Sequence, residues 1–178
     1  VPLLRYDLPL NERLRGIQRI HPSGQKRFTR DFGKNGSSLR LGDADLSTRL
    51  ILVCEGYATG LSIRQAIDRR YPVFVALDAY NLATVVPMLR SMFTARLLVC
   101  ADDDWLSTDH EGPNPGRRRA MAIAKQTEAC DIVVPIFRPS TRQSGDTDFN
   151  DLHMRQGLNS VMAQLWAVID AMRRAGRV

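Results

Sequence analysis

From residue 50 onward, short apolar runs alternate with stretches in which apolar positions recur every three or four residues. The runs at 50–54, 73–77, 96–101 and 132–136 have strand length, and the segments 57–69, 82–94, 116–129 and 149–175 carry the helical period. In the first helix the apolar positions are Ala58, Leu61, Ile63, Ala66 and Ile67. In the last, Val161, Leu165, Val168, Ile169 and Met172 form one stripe, with Arg173, Arg174 and Arg177 suited to its C-terminal end. Strands alternating with helices predict an α/β fold, a parallel sheet flanked by helices with right-handed crossovers. Asn81 has the chemistry of a cap for the second helix, while Pro87 predicts a kink or a later start there.

Before residue 50 the rhythm changes. Residues 13–20 read as a strand, 21–25 as a turn and 26–30 as the returning strand. With the glycine-rich segment 33–42 they predict a small β-rich N-terminal subdomain over 1–49, linked through 43–49 to an α/β domain over 50–178 that includes the C-terminal helices. Segments 105–116 and 138–147, rich in Gly, Pro, Ser and Thr, read as loops at the strand ends.

Those strand ends carry the candidate chemistry. Asp102, Asp103 and Asp104 follow the run that ends at Ala101. Adjacent carboxylates repel one another and resist burial without a partner. A hard divalent cation is such a partner: Mg²⁺ takes oxygen ligands, and commonly binds one or two carboxylates together with substrate phosphates. In open parallel sheets, ligands bind just beyond the carboxyl ends of the strands. Acid runs after strands also form turns and helix caps, so this cluster alone leaves both readings open. The arrangement recurs, however. Glu55 and Gly56 end the run at 50–54, and Asp146, Asp148 and Asp151 follow the run at 132–136.

The segments Glu55-Gly56-Tyr57-Ala58-Thr59, Asp102-Asp103-Asp104 with Asn114-Pro115-Gly116 downstream, and Asp148-Phe149-Asn150-Asp151-Leu152 come in this order. Together they resemble the Toprim domain, and most closely the primase-like Toprim domains of phage and plasmid replication proteins. The resemblance implies a Rossmann-like sheet on which Glu55, Asp102 and Asp104 are the catalytic and metal-ligating residues for Mg²⁺ or Mn²⁺. It implies that Asp103 points away, that Asp146 and Asp148 assist the metal site, and that Asp151 is available to cap or orient the final helix. The implied activity is DNA primase: synthesis of RNA primers on a single-stranded DNA template from nucleoside triphosphates. The same ligands would also serve a metal-dependent nuclease, and a non-catalytic nucleic-acid-binding module would keep the same fold. The helicase or other replication domains that accompany such primases would lie outside this chain. The sequence has no Cys/His zinc-ribbon pattern and no phosphate-binding P-loop, and its start at Val1 reads as a piece of a longer protein.

Composition narrows the class without adding a site. With 44% hydrophobic and 25% charged residues the chain is expected to be globular rather than disordered. No apolar run approaches the ~20 residues of a membrane span, so no membrane partner and a cytoplasmic location are expected. Cys54, Cys100 and Cys130 lack a metal-ligand spacing and read as core thiols. Charge is more telling. Arg13, Arg15, Arg19, Lys26, Arg27, Arg30, Lys34 and Arg40 face only Asp31 between residues 13 and 40, although the whole chain carries +6. A basic platform beside an acidic metal site suits a template or a triphosphate. Arg19, Lys26, Arg27, Arg30 and Lys34 are the expected contacts, with Lys26 and Arg27 foremost because they share one strand near the turn. A solvated hairpin face is the plainer alternative. Trp105, directly after the acids, could stack on a base or pack its loop.

Overall fold

In the computed structural model, which describes residues 1–178, the chain opens with a small antiparallel sheet of β1 (Pro2–Leu4), β2 (Leu14–Ile20) and β3 (Lys26–Phe28). β2 and β3 form the expected hairpin, closed by His21 N–H donating to the Gln25 carbonyl. Gly24 takes φ +84° in the turn, a region open to glycine because it lacks Cβ. β1 lies outside the expected elements. Its three residues are too few to show a period, and only pairing with β2 makes them a strand.

The main sheet contains β4 (Leu39–Leu41), β5 (Leu50–Cys54), β6 (Val73–Val75), β7 (Arg96–Cys100) and, after the two-residue strands β8 (Thr108–Asp109) and β9 (Gly112–Pro113), β10 (Cys130–Val133). Its order is β10-β7-β5-β6-β4, parallel except for the edge strand β4. β4 falls within the segment 1–49, yet its partner is β6 of the α/β core, with Leu39 opposite Val75. The helices are α1 (Tyr57–Ala66), α2 (Ala79–Met92), α3 (Pro115–Gln126), α4 (Phe149–Gln156) and α5 (Leu158–Arg174).

Alternate side chains of a strand face opposite sides of the sheet. Leu50, Leu52, Cys54, Leu98 and Cys100 pack with α1, α4 and α5, whereas Ile51, Val53, Leu97 and Val99 pack with α2 and α3. Both faces are covered, which is why these strands read as unbroken apolar runs. Cys54 and Cys100, directly paired across β5 and β7, are buried free thiols; Cys130 is half-buried and free.

Element ends moved for local reasons. β10 starts at Cys130 and stops before Pro135, which has no N–H for the ladder. Gly157, with φ +81°, separates α4 from α5. α2 runs through Pro87 because that residue and Ala83, whose carbonyl loses its donor, are both exposed. Its cap is Asp78, which accepts from Asn81 N–H at 2.8 Å. Asn81 has a different role from the one expected. Its buried amide accepts from Gly36 N–H at 2.7 Å and donates to the Ser37 and Ala76 carbonyls at 2.8 and 2.6 Å, fastening the N-terminal segment to the core. Asn81→Ala strands three backbone groups in a dry environment and should cost about 3 kcal/mol. A lowered urea midpoint with an unchanged m-value is the expected reading.

Candidate functional site

Register places the acids. Cys54 lies opposite Cys100 at the carboxyl ends of β5 and β7, so Glu55 and the Asp102–Asp104 segment leave the sheet side by side. Gly56 then opens α1, where an added Cβ would meet Thr59 Oγ1 at 2.9 Å. The third segment arrives because Asp103 N–H donates to the Thr147 carbonyl at 2.7 Å, bringing Asp148 next to the strand ends. Thr59 Oγ1 donates to Asp148 Oδ2 at 2.5 Å.

Within this cluster Glu55 Oε1 and Asp102 Oδ1 are shut off from solvent with no hydrogen-bond partner. Buried carboxylate oxygens are ordinarily paired, so these two atoms call for a ligand. Burial, with the nearby charges of Asp104 and Asp148, pushes Glu55 up to about 7 against the opposing pull of Arg119. Burial, followed by Glu55, Asp148 and Asp104, pushes Asp102 up to about 9. Asp148 is also raised, by burial that outweighs its hydrogen bonds from Thr59 and the backbone.

Asp104 is placed by helix α3. Its Oδ2 accepts from Gly116 N–H at 2.9 Å, and a Cβ on Gly116 would lie 2.7 Å from that oxygen and 3.0 Å from the Asp102 carbonyl. Only glycine allows this approach. Asp103 joins two loops: Asn114 Nδ2 donates to Oδ1 at 2.7 Å and Arg142 Nη2 meets Oδ2 at 2.9 Å.

The acids are not drawn into a three-ligand cage. Asp104 rests on Gly116 and Asp148 on Thr59, while one oxygen each of Glu55 and Asp102 is desolvated. The fit to a hard ion rests on the orphaned oxygens and an all-carboxylate donor set, which suits Mg²⁺ or Mn²⁺.

Asp146 requires correction. It was expected beside Asp148 at the metal, but it is buried against Arg155, whose Nε reaches Oδ1 and Oδ2 at 3.1 and 3.0 Å, and it accepts from Gln143 N–H at 2.8 Å. Both oxygens are engaged by Arg155 and Gln143, which anchors Asp146 to its own loop and to α4. Asp148 and Asp151 together form the capping box of α4: Asp148 Oδ1 accepts from Asp151 N–H at 2.8 Å, and Asp151 Oδ2 from Asp148 N–H at 3.1 Å. His153 bonds Ser62 at 3.0 Å, joining α4 to α1.

Three residues escaped the sequence reading. Thr59 positions Asp148. Arg142 pins the loop 138–147 to the end of β7. Arg119, one turn into α3, is held by Asp109 Oδ2 at 2.5 Å and Tyr80 Oη at 3.2 Å, and its charge is felt at Glu55. The signal for Arg119 was the Arg117-Arg118-Arg119 run next to Gly116, a second basic feature outside the hairpin.

On that hairpin Arg19 sits directly opposite Arg27, so both project from one face. Lys26 pairs with Ile20 and projects from the other face, which separates the two residues expected to act together. Arg19, Lys26, Arg27 and Arg30 are exposed. Lys34 is engaged with Asp78 and lies 5.8 Å from the centroid of Phe28, so it is a poorer candidate than its neighbours. A groove of about 710 Å³ lies between hairpin and α1, lined by residues that include Ile17, Ile20, Lys26, Tyr57, Ala58 and Leu61. It connects the basic hairpin with the helix that follows Glu55 and Gly56.

A family model for the Toprim domain matches residues 50–159, the span that holds all three acidic segments. The chain belongs to the Toprim family. Two proteins of Escherichia coli named DNA primase TraC are 32% and 33% identical to it over 127 and 126 residues, which is 70% and 69% of this chain. Those alignments cover 9% and 12% of the relatives, so this Toprim chain corresponds to a small part of their length. Among solved structures, the primase fragment of the bacteriophage T7 primase-helicase protein aligns over 92% of this chain and 62% of its own, with TM-score 0.59 and 15% identity. A chain from the T7 lagging-strand DNA polymerase structure, which contains primase domains of two gp4 subunits with an RNA/DNA hybrid and dTTP, aligns over 92% of this chain and 81% of its own, with TM-score 0.58 and 16% identity. At such identity these two likenesses concern the Toprim fold alone. They reach beyond the span of the family match, since 92% of the chain is more than residues 50–159.

Proposed function

We propose that this chain is the catalytic Toprim core of a DNA primase, which joins nucleoside triphosphates into RNA primers on a single-stranded DNA template with Mg²⁺ or Mn²⁺. The observation that carries the reading is the pair of buried, partnerless oxygens on Glu55 and Asp102 at adjacent strand ends. The primase names of the relatives support the reaction class. Glu55, Asp102 and Asp104 would hold the ion, with Asp148 behind them. When bound there, a divalent ion supplies activation of an attacking 3′-hydroxyl and stabilisation of triphosphate charge. The residues around it have separable tasks. Gly116 N–H and Thr59 Oγ1 orient Asp104 and Asp148, Arg119 offers a cationic charge that is felt at Glu55, and the exposed Arg19 and Arg27 provide a phosphate-binding face. No helix is long and apolar enough to cross a membrane, and a cytoplasmic replication role alongside a helicase or other domains outside this chain fits the proposal.

Incubation with single-stranded DNA, ribonucleotides and Mn²⁺ tests it. New oligoribonucleotides that disappear with Glu55→Gln support a primase. Shortened DNA would reassign the chain to metal-dependent nucleases, and binding that survives Glu55→Gln with no turnover in the full-length protein would make it a non-catalytic module. Arg19→Ala combined with Arg27→Ala should reduce the log–log salt slope of single-strand binding by about 0.7 per lost phosphate contact. Lys34→Ala should leave that slope unchanged, because Asp78 already neutralises its charge.

A further inference from the structure

Trp105 directly follows Asp104, and its indole remains 43% exposed. The ring is nonetheless packed against a neighbour. The Arg142 guanidinium lies 4.5 Å from its centroid and 4.6 Å from that of Phe137, so arginine is layered against both rings. Arg142 is in turn held by Asp103 Oδ2 at 2.9 Å and by the Asp103 and Asp146 carbonyls at 3.0 Å, which neutralises its charge within the protein. The backbone around Trp105 turns tightly, with Trp105 N–H donating to the Asp103 carbonyl at 2.7 Å and Ser107 N–H to the Asp104 carbonyl at 2.8 Å. A large aromatic surface is thus supported from behind, left open to solvent, and set one residue from a proposed metal ligand.

We propose that Trp105 is a stacking platform for an unpaired nucleobase, either of a single strand or of a nucleotide, on the ring surface that Arg142 leaves uncovered. Any base offers a π-face, so such a platform needs no sequence readout. Because Arg142 already packs against the ring, less side-chain entropy is lost on binding than for a free surface tryptophan. The acids and Arg119 suit a metal ion, phosphates and sugar hydroxyls, and Trp105 adds an apolar face for the base. The inference rests on the nucleic-acid reading above and specifies a subsite within it.

The chain has two tryptophans, so Trp166→Phe leaves Trp105 as the sole indole reporter. Its fluorescence should be quenched by a short oligodeoxynucleotide or by ATP, and not by an abasic oligonucleotide of equal length. Quenching by the oligonucleotide alone assigns the platform to a strand, and quenching by ATP alone to the nucleotide. Trp105→Leu should weaken binding of the quenching ligand about tenfold at an unchanged salt slope, with Trp105→Phe retaining most of the affinity and the abasic strand unaffected. Equal quenching by the abasic strand overturns the proposal. So does a lowered melting temperature in Trp105→Leu with unaltered affinity, which would make Trp105 a cover for Arg142 and nothing more. If the unsubstituted chain binds neither strand nor ATP, the functional reading fails and takes the platform with it. If it binds either and Trp105 is silent, only the platform falls.

Discussion

Asp102→Asn should raise the melting temperature of the metal-free chain near pH 8 and at the same time abolish both its stabilisation by Mn²⁺ and its metal-dependent turnover. The sign follows from the shift in Asp102. Burial and the neighbouring acids lift its folded-state value to about 9, so between the ordinary carboxylate range and that value the folded chain binds more protons than the unfolded one. Stability is then fully present at acid pH and declines as pH rises through the window. Glu55, raised to about 7, adds to the decline over the lower part of the same window. Asn removes the Asp102 contribution, flattens the pH profile, and should relieve on the order of a few kcal/mol near pH 8. For a chain of this size that corresponds to roughly 5–10 °C. Mn²⁺ reverses the sign for the native acids, since it binds the ionised forms and stabilises by mass action. Two melting series, with and without Mn²⁺, should therefore cross between the two proteins. A variant that melts lower than the native chain at every pH and still responds to Mn²⁺ would remove Asp102 from the metal site.

Arg142→Ala should destabilise the chain strongly for a loop substitution. The guanidinium is only 16% exposed and Asp103 only 13%, so its loss leaves a nearly dry carboxylate with Asn114 as its remaining side-chain partner. Breaking a buried pair from one side costs about 3–5 kcal/mol, or roughly 6–20 °C here, and the layered contacts with Phe137 and Trp105 are lost as well. Because Asp103 N–H also holds Thr147, release of the loop should loosen Asp148 and weaken Mn²⁺ binding as a secondary effect. The Asp103→Asn, Arg142→Met pair should lose clearly less stability than the two single changes added together, since neither charge is then stranded. Additive losses would show that the pair is not coupled and that stacking alone fastens the loop.

The long-range origin of that pair illustrates what the chain declares locally and what it does not. The buried strands at 50–54 and 96–100 could be read directly, because a strand covered on both faces must be apolar at every position. Glu55 and Asp102 could be read for the same reason: a carboxylate ending such a run has nowhere dry to go without a partner. The β2–β3 hairpin announced itself through turn residues and alternation over a few positions. Asp146 and Asp148, by contrast, stand two residues apart with the same side chain and part company only because Arg155, nine positions on, takes Asp146, while Thr59, 89 positions back, takes Asp148. Lys34 looked as available as Lys26 until Asp78 of a distant turn engaged it. β1 and the edge strand β4 are three-residue segments without a period, and β4 is recruited by β6 across 32 residues or more. Apolar patterning and strand-end chemistry were written into the sequence itself, because burial and desolvation act on each residue's own side chain. Which acid faces the site and which cation is free were decided in the tertiary structure, because an ion pair depends on a partner whose place is set only when the sheet and its helices close.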